Sequence, residues 1–338
     1  MAGTAIPNQH YRYVPTLRTK TGEAGALRYL PAASKARIFP VFQITERPPG
    51  GFLTALQQAW NSPLALDGLH NYATSGTTHA FQTMFSDIVQ LGISVVPCVE
   101  VAAAAPYLAA VQGLLQTHGP ELVVRTTLGT LGTTHTWVQQ QGWSPSDVHL
   151  LIDAGHVAEF DPAAYSAFVL SSIQSYVNPL LWRSVTLSAS AAPKDASALQ
   201  LGPNTVERRD WMLWQAVAPQ VDFQLDYGDY GCVHRDLADP PGFAMAGATV
   251  SVKYADDTEW LIRKGRRTSG ATGVPMNVQY QSHAQALIAH PCFGHVANCW
   301  ADQRIQQIAS GATSAGSRAT WVPISMNRHL ALVAERLP

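Results

Sequence analysis

Charged and hydrogen-bonding side chains follow the apolar segments of this 338-residue chain, at the point where each segment ends. Three are carboxylates, which could serve as general acid and base or hold Mg²⁺, an ion that prefers oxygen ligands: Glu100, Asp153 and Asp226. The others could bind the anionic groups of a substrate: Arg18, Lys20, Arg125, Gln43, Tyr227 and Tyr230. The set predicts a site for a small anionic ligand, phosphorylated or nucleotide-like, with Mg²⁺ as a candidate cofactor.

The segment QVDFQLDYGDYGCVH (residues 220–234) carries the last of these residues and alternates apolar and polar side chains with the period of a strand. In a barrel its polar set, Asp222, Gln224 and Asp226, would point inward. We expect Asp226 to reach the mouth of the barrel and the two tyrosines after it to wall a pocket.

Eight strand-like segments alternate with helix-like segments along most of the chain. They cover residues 13–19, 37–45, 64–70, 94–101, 121–128, 148–155, 184–190 and 221–228. Such alternation is typical of parallel strands joined by right-handed crossovers. Eight units predict a closed (β/α)₈ TIM-like barrel, and an open doubly wound sheet is the alternative. Active sites of these barrels lie at the carboxyl ends of the strands, where the polar residues fall.

The rest of the chain predicts additions to one barrel domain that spans residues 1–338. Residues 247–267 alternate, turn at ADDT and alternate back, which predicts a β-hairpin inserted after strand eight. Residues 318–338 predict a strand followed by a helix that closes the chain.

Four stretches in order carry a family resemblance: YVPTLRTKTGEAGALRYL, RIFPVFQIT, VSVKYADDTEWLIRKGR and TWVPISMNRHLALV. Together the chain resembles the phage beta-protein family, first recognised in T-even phages and scattered through bacterial genomes. In that family a tryptophan precedes an Asn-His or His-His pair, whereas here Arg328 stands beside His329. The resemblance implies a barrel-like α/β protein from a mobile-element or phage-conflict setting, such as antiphage defence. It implies no particular reaction.

Composition narrows the class of protein. Charged residues make up 13% of the chain and hydrophobic residues 46%, with a net charge of −1 and a pI near 6.9. A packed globular core is expected, and no overall field would attract nucleic acid or an anionic membrane. No apolar run approaches the length of a membrane span. The four cysteines are far apart and require no disulfide, so we expect a cytoplasmic location.

The sequence lacks the common motifs of metal sites and of serine hydrolases. The sequence has no HExxH, no HxH and no GxSxG, and the histidines and cysteines of HPCFGHVANCW (290–300) lack zinc-site spacing. The basic run RKGRRTSGATG (263–273) is either a lid over an anion at the mouth or the solvated exit of the hairpin.

The polar ring also has a purely structural interpretation. Arg125 could form an internal ion pair with Glu100 or Asp153, in which case losing either charge would destabilise the fold. Glu23 lies in the first turn of a helix, where a carboxylate is stabilising, so we expect it to be structural. For the whole protein, the alternative function is a non-catalytic protein-binding or immunity module with a protein partner.

Overall fold

Eight parallel strands close into a barrel in the computed structural model, which describes residues 11–45, 50–236 and 249–338. The barrel strands follow chain order: β1 Tyr13–Arg18, β2 Val41–Gln43, β3 Leu64–Asp67, β4 Val95–Glu100, β5 Leu122–Thr127, β6 Val148–His156, β7 Ser184–Ser190 and β9 Leu225–Asp229. Strand β9 pairs with both β7 and β1 and so completes the ring. The predicted (β/α)₈ barrel is therefore confirmed, and the open sheet is wrong.

Helices follow the strands and cover the outside of the barrel. They are α1 Thr21–Arg28, α2 Ala32–Ala36, α3 Phe52–Ala59, α4 Leu69–Ser75, α5 His79–Gln90, α6 Ala105–His118, α7 Leu131–Gln140, α8 Pro162–Tyr176, α9 Arg209–Val217, α10 Met276–Ile288, α11 Trp300–Ala309 and α12 Arg318–Arg336. Helix α8 begins as its sequence predicts, because the Asp161 carboxylate accepts a hydrogen bond from the Ala164 amide and Pro162 takes the first helical position. None of the helices in the described ranges could cross a membrane, being too short or too polar.

The barrel interior is apolar in its lower layers and polar at the end where the strands finish, which we call the mouth. Its apolar core comprises Tyr11, Val14, Phe39, Val41, Ala65, Val96, Cys98, Val123 and Leu151. Side chains on a strand alternate between faces, so the residue two positions after a core residue also points inward, one layer higher. Five of these are Gln43, Asp67, Glu100, Arg125 and Asp153. The fold itself therefore brings them to the mouth.

The eighth barrel strand is shorter than the sequence pattern indicates. It begins at Leu225, and Asp222 and Gln224 lie exposed before it. The prediction that Asp222 and Gln224 point into the barrel is therefore wrong. Asp226 does face the interior, but it is the second residue of the strand and lies at the opposite end from the mouth.

A second, antiparallel sheet lies beside the barrel in the order β10–β11–β8. Its strands are β8 Gly202–Glu207, β10 Ser251–Ala255 and β11 Glu259–Lys264. Strands β10 and β11 form the hairpin predicted within residues 247–267, of which 247 and 248 lie outside the described residues. Strand β8 lies in the connection before β9 and pairs with β11 at the edge of this sheet. The sequence pattern did not predict it.

Residues 318–336 form one helix, so the strand predicted at the start of this segment is wrong. Ser317 and Thr320 form a capping box at its beginning. From Ile324 to Ala334 every side chain is buried, so the helix shows no polar face and its period is hidden in the sequence. The segment also begins with TWVPI (320–324), a short and mostly apolar stretch with a proline, which is easily mistaken for a strand.

Helix α12 is joined to the barrel through Asp229, the last residue of β9. Its carboxylate accepts hydrogen bonds from Tyr13 Oη at 2.8 Å, from the Gly231 amide at 2.9 Å and from His329 Nε2 at 2.6 Å. Asp229 and His329 are fully buried. Burial raises the pKa of Asp229, but the His329 ring and the other donors outweigh it, so the pKa is lowered and the carboxylate is ionised.

His329 tests how much the barrel depends on this contact. We expect His329→Leu to reduce the free energy of unfolding by about 3–5 kcal/mol, because the ionised Asp229 loses a donor where water cannot replace it. Urea denaturation followed by tryptophan fluorescence measures the change. The control is Arg336→Gln, which breaks an exposed ion pair with Asp257 on the same helix and should cost about 1 kcal/mol or less. Equal effects of the two substitutions would contradict the assignment.

Candidate functional site

Seven polar side chains lie together at the mouth, and we call them the mouth cluster: Gln43, Asp67, Glu100, Arg125, Asp153, Tyr230 and Arg235. Its centre is an ion pair between Arg125 Nη1 and Asp67 Oδ2 at 2.5 Å. Gln43 Nε2 donates to the same carboxylate oxygen at 3.1 Å. The other oxygen of Asp67 accepts from the Leu69 amide at 3.0 Å, so this carboxylate is well supplied with donors.

Arg125 is far less well supplied with acceptors. The residue is only 6% exposed, yet its Nε and Nη2 atoms have no hydrogen-bond partner among the described residues. The same is true of Gln43 Oε1 and of the Ser188 and Ser190 hydroxyls on β7. Buried polar groups in native proteins are nearly always hydrogen-bonded, so a group of unsatisfied atoms at one end of the barrel makes that end the candidate ligand site.

Asp153 does not pair with Arg125, although an ion pair between these two residues is one structural interpretation of the sequence. Its Oδ2 accepts from Tyr230 Oη at 2.8 Å and from Arg235 Nη2 at 2.9 Å. The Arg235 guanidinium also lies over the Tyr230 ring, 5.6 Å from its centre. Asp153 therefore holds a tyrosine and an arginine from the loop after β9 in place at the mouth.

Glu100 is the carboxylate of the cluster that the protein leaves open. It is half-buried, and it has no hydrogen bond or ion pair with any residue that the structure describes. Burial raises the pKa of Glu100, and the nearby positive charge of Arg125 opposes that effect only in part. A partly solvated carboxyl group with a raised pKa is suited to proton transfer.

Arg18 and Lys20 lie at the rim, where the first barrel strand ends. Arg18 Nη2 donates to the carbonyls of His234 and Asp236 at 2.8 and 2.9 Å, which fixes the loop that carries Arg235. Its own amide donates to Glu23 Oε2 at 2.6 Å, as fits the structural role predicted for Glu23. Lys20 is half-buried at the residue before α1.

Two residues of the predicted site lie elsewhere. Asp226 lines a cleft of about 550 Å³ at the opposite end of the barrel, where Gln224 Nε2 donates to it at 2.7 Å. Tyr227 faces the helices and donates to Asp210 Oδ2 at 3.1 Å, packed against Tyr13. The prediction that Asp226 reaches the mouth and Tyr227 walls a pocket there is therefore wrong.

The predicted Mg²⁺ ligand set of Glu100, Asp153 and Asp226 is not brought together, because Asp226 is at the far end. No cluster of three metal-ligating side chains occurs within the described ranges. The basic run at 263–273 contacts its own surroundings: Lys264 Nζ donates to the carbonyls of Ser197 and Leu199. These contacts fit the interpretation of the run as the exit of the hairpin.

Arg235 is the mouth residue that sequence reasoning missed. It follows β9 in a loop, so no strand pattern marks it. The available signal is the polar stretch HRD (234–236), which follows the glycine-containing segment 228–231 after two residues.

The titration of Asp226 predicts a pH dependence of stability. Burial raises the pKa of this carboxyl to about 7, against about 3.9 in unfolded chains, so ionisation is disfavoured in the folded state and stability falls as pH rises between these values. We expect Asp226→Asn to gain about 2–3 kcal/mol over the wild type between pH 5 and pH 8 in urea denaturation. The control Asp222→Asn, at an exposed position of the same cleft, should show no such gain. A pH-independent difference for Asp226→Asn would contradict the burial argument.

Comparison with known proteins identifies the family of the chain. A family model described as Beta protein matches residues 13–335. No curated protein matches the chain. One solved structure, a type I 3-dehydroquinate dehydratase from Clostridium difficile, is similar at 8% identity and a TM-score of 0.37, over 69% of this chain and 88% of that chain. Because the family match spans nearly the whole sequence, the chain belongs to the Beta protein family.

Proposed function

We propose that the mouth of the barrel binds a small anionic molecule, with Arg125 as its principal anchor. The observation that carries this proposal is the guanidinium of Arg125, buried below the mouth with Nε and Nη2 unsatisfied among the described residues. These two atoms form the side of a guanidinium that binds carboxylate or phosphate oxygens in pairs. An anion bound there would satisfy both donors at once.

The positions of the positive charges support the same ligand class. A single carboxylate, Asp67, pairs with Arg125, and Asp153 is already paired with Arg235. Arg18 adds a further positive charge at the rim, where its hydrogen bonds go to neutral carbonyls. A phosphorylated or carboxylated ligand would therefore find positive charge on several sides, with the Ser188 and Ser190 hydroxyls as further donors.

Glu100 supplies the chemistry that would make the site an enzyme. It ends β4 directly beside Arg125 in the sheet register, so an anion on the Arg125 guanidinium would bring its neighbouring atoms close to this carboxyl. With its raised pKa, Glu100 would give or take a proton near the anchored group. Asp153, in contrast, is a positioning residue for Tyr230 and Arg235.

The setting of this activity follows the family resemblance. We propose a role in conflict between phages and bacteria, in the cytoplasm, where the four buried thiols, free in the structure, would stay reduced. The second candidate, a protein-binding module, is favoured by apolar side chains exposed on α8 and in the segments on either side of it. They are Phe160, Phe168, Tyr176 and Leu180.

Ligand-induced stabilisation tests the anion site. We expect inorganic phosphate, malonate or adenosine monophosphate to raise the melting temperature of the wild type, since a ligand at a hundred times its Kd stabilises by about 2.7 kcal/mol. The double variant Arg125→Met/Asp67→Asn removes both charges of the central pair, so no buried charge is left unpaired. It should fold and lose the response.

The matched control is Arg336→Met, which removes an exposed arginine far along the chain on α12 and should respond like the wild type. An undiminished response in the double variant would contradict the proposal.

Gel filtration of tagged protein from host lysate tests the second candidate. A stable protein partner, without any response to the anions, would favour the binding module.

A further inference from the structure

Lys253 is a lysine whose amine is bound by a main-chain carbonyl. It lies on strand β10 of the hairpin, where it is half-buried against the loop after β9. Its Nζ donates to the carbonyl of Cys232 at 2.9 Å, and no carboxylate forms an ion pair with it within the described ranges. Burying an ammonium group without a counter-charge costs free energy. A lysine at this position is therefore a candidate for a functional role.

The surroundings favour the neutral amine. Burial lowers the pKa of Lys253 and Arg18 adds to that effect, whereas Cys232 and Asp195 oppose it. The neighbouring thiol behaves in the opposite way, because burial raises the pKa of Cys232 to about 11. Of these two nucleophilic side chains, the amine is the one whose pKa its surroundings shift towards the reactive form.

Lys253 lines a small cavity of about 210 Å³ that is separate from the mouth cluster. The cavity is also lined by Arg318 and by Tyr280 and Trp321, whose rings stack at 5.2 Å. Ser251 and Ser325 complete this part of its wall. The volume suits a molecule of a few heavy atoms, and Arg318 adds positive charge for a carboxylate group.

We propose that Lys253 forms a reversible imine with a small carbonyl compound in this cavity, of the class of short aldehydes and 2-oxo acids. The amine lone pair attacks the carbonyl carbon, and the carbonyl oxygen takes a proton to give a carbinolamine. Loss of that hydroxyl as water leaves the carbon–nitrogen double bond. Atoms balance as amine plus carbonyl giving imine plus water, with no change of oxidation state.

Reductive trapping tests the proposal on the intact protein. The chain has five lysines, Lys20, Lys35, Lys194, Lys253 and Lys264, so each can be followed by peptide mass spectrometry. The protein is incubated at pH 7 with glyoxylate or pyruvate and then reduced with borohydride. We expect the adduct to form on Lys253 several-fold faster than on the other four, although Lys194 has a more exposed side chain.

Lys264 is the matched control within the same molecule. It lies on the adjacent strand β11, and its Nζ also donates to two main-chain carbonyls, yet it is outside this cavity. Lys253→Met should abolish the fast adduct and Lys264→Met should leave it unchanged, with both variants checked for an unaltered melting transition. Because the wild type alone ranks the five lysines, the test does not depend on either variant folding. Labelling that merely follows exposure would overturn the proposal, whether or not the mouth binds anions.

Discussion

The presence of charge inside a closed barrel is the constraint on which the mouth of this protein depends. Arg125 is buried in the interior, and a guanidinium cannot escape the penalty of burial by losing its proton. Asp67, which accepts a hydrogen bond from Gln43, balances that charge on one side of the guanidinium only. The arrangement of the remaining mouth residues makes physical sense if the other side of the guanidinium is completed by a ligand.

Two carboxylates, the fully buried Asp229 and the half-buried Glu100, serve different purposes in this fold. The Asp229 carboxylate accepts three hydrogen bonds, all from the protein, and joins β9 to β1 and to the last helix. Its hydrogen-bonding capacity is therefore taken up by the fold. Glu100 receives none from the described residues and stays partly open to solvent. Saturation of hydrogen-bonding capacity therefore separates the structural acid from the candidate functional one.

The sequence predicted the barrel and most of the mouth because both follow from simple periodicities. The polar ends of the apolar segments correctly predicted that Gln43, Glu100, Arg125 and Asp153 lie at the mouth, whereas the faces of strand eight follow from a period of two. The same period assigned Asp226 to the correct face but to the wrong end, because alternation defines a face and not a height along the barrel. Only the true start of the strand, at Leu225, decides the height, and the alternating residues before it concealed that start.

The remaining misses have a related cause. Helix α12 is buried on nearly all sides, so burial erased the helical period that its sequence would otherwise show. Partners such as Asp67 for Arg125, or Asp153 for Arg235, come from strands or loops far apart in the chain. Residue types predicted the charges at the mouth, but only the closed register of the sheet decides which of them pair.

A crystal structure of the protein grown with the anion that gives the largest thermal shift tests the central claim most directly. The account predicts density for that anion within hydrogen-bonding distance of both Nε and Nη2 of Arg125, with Glu100 beside it. Density at these two atoms that belongs only to water or to the protein's own side chains, at saturating anion, would contradict it.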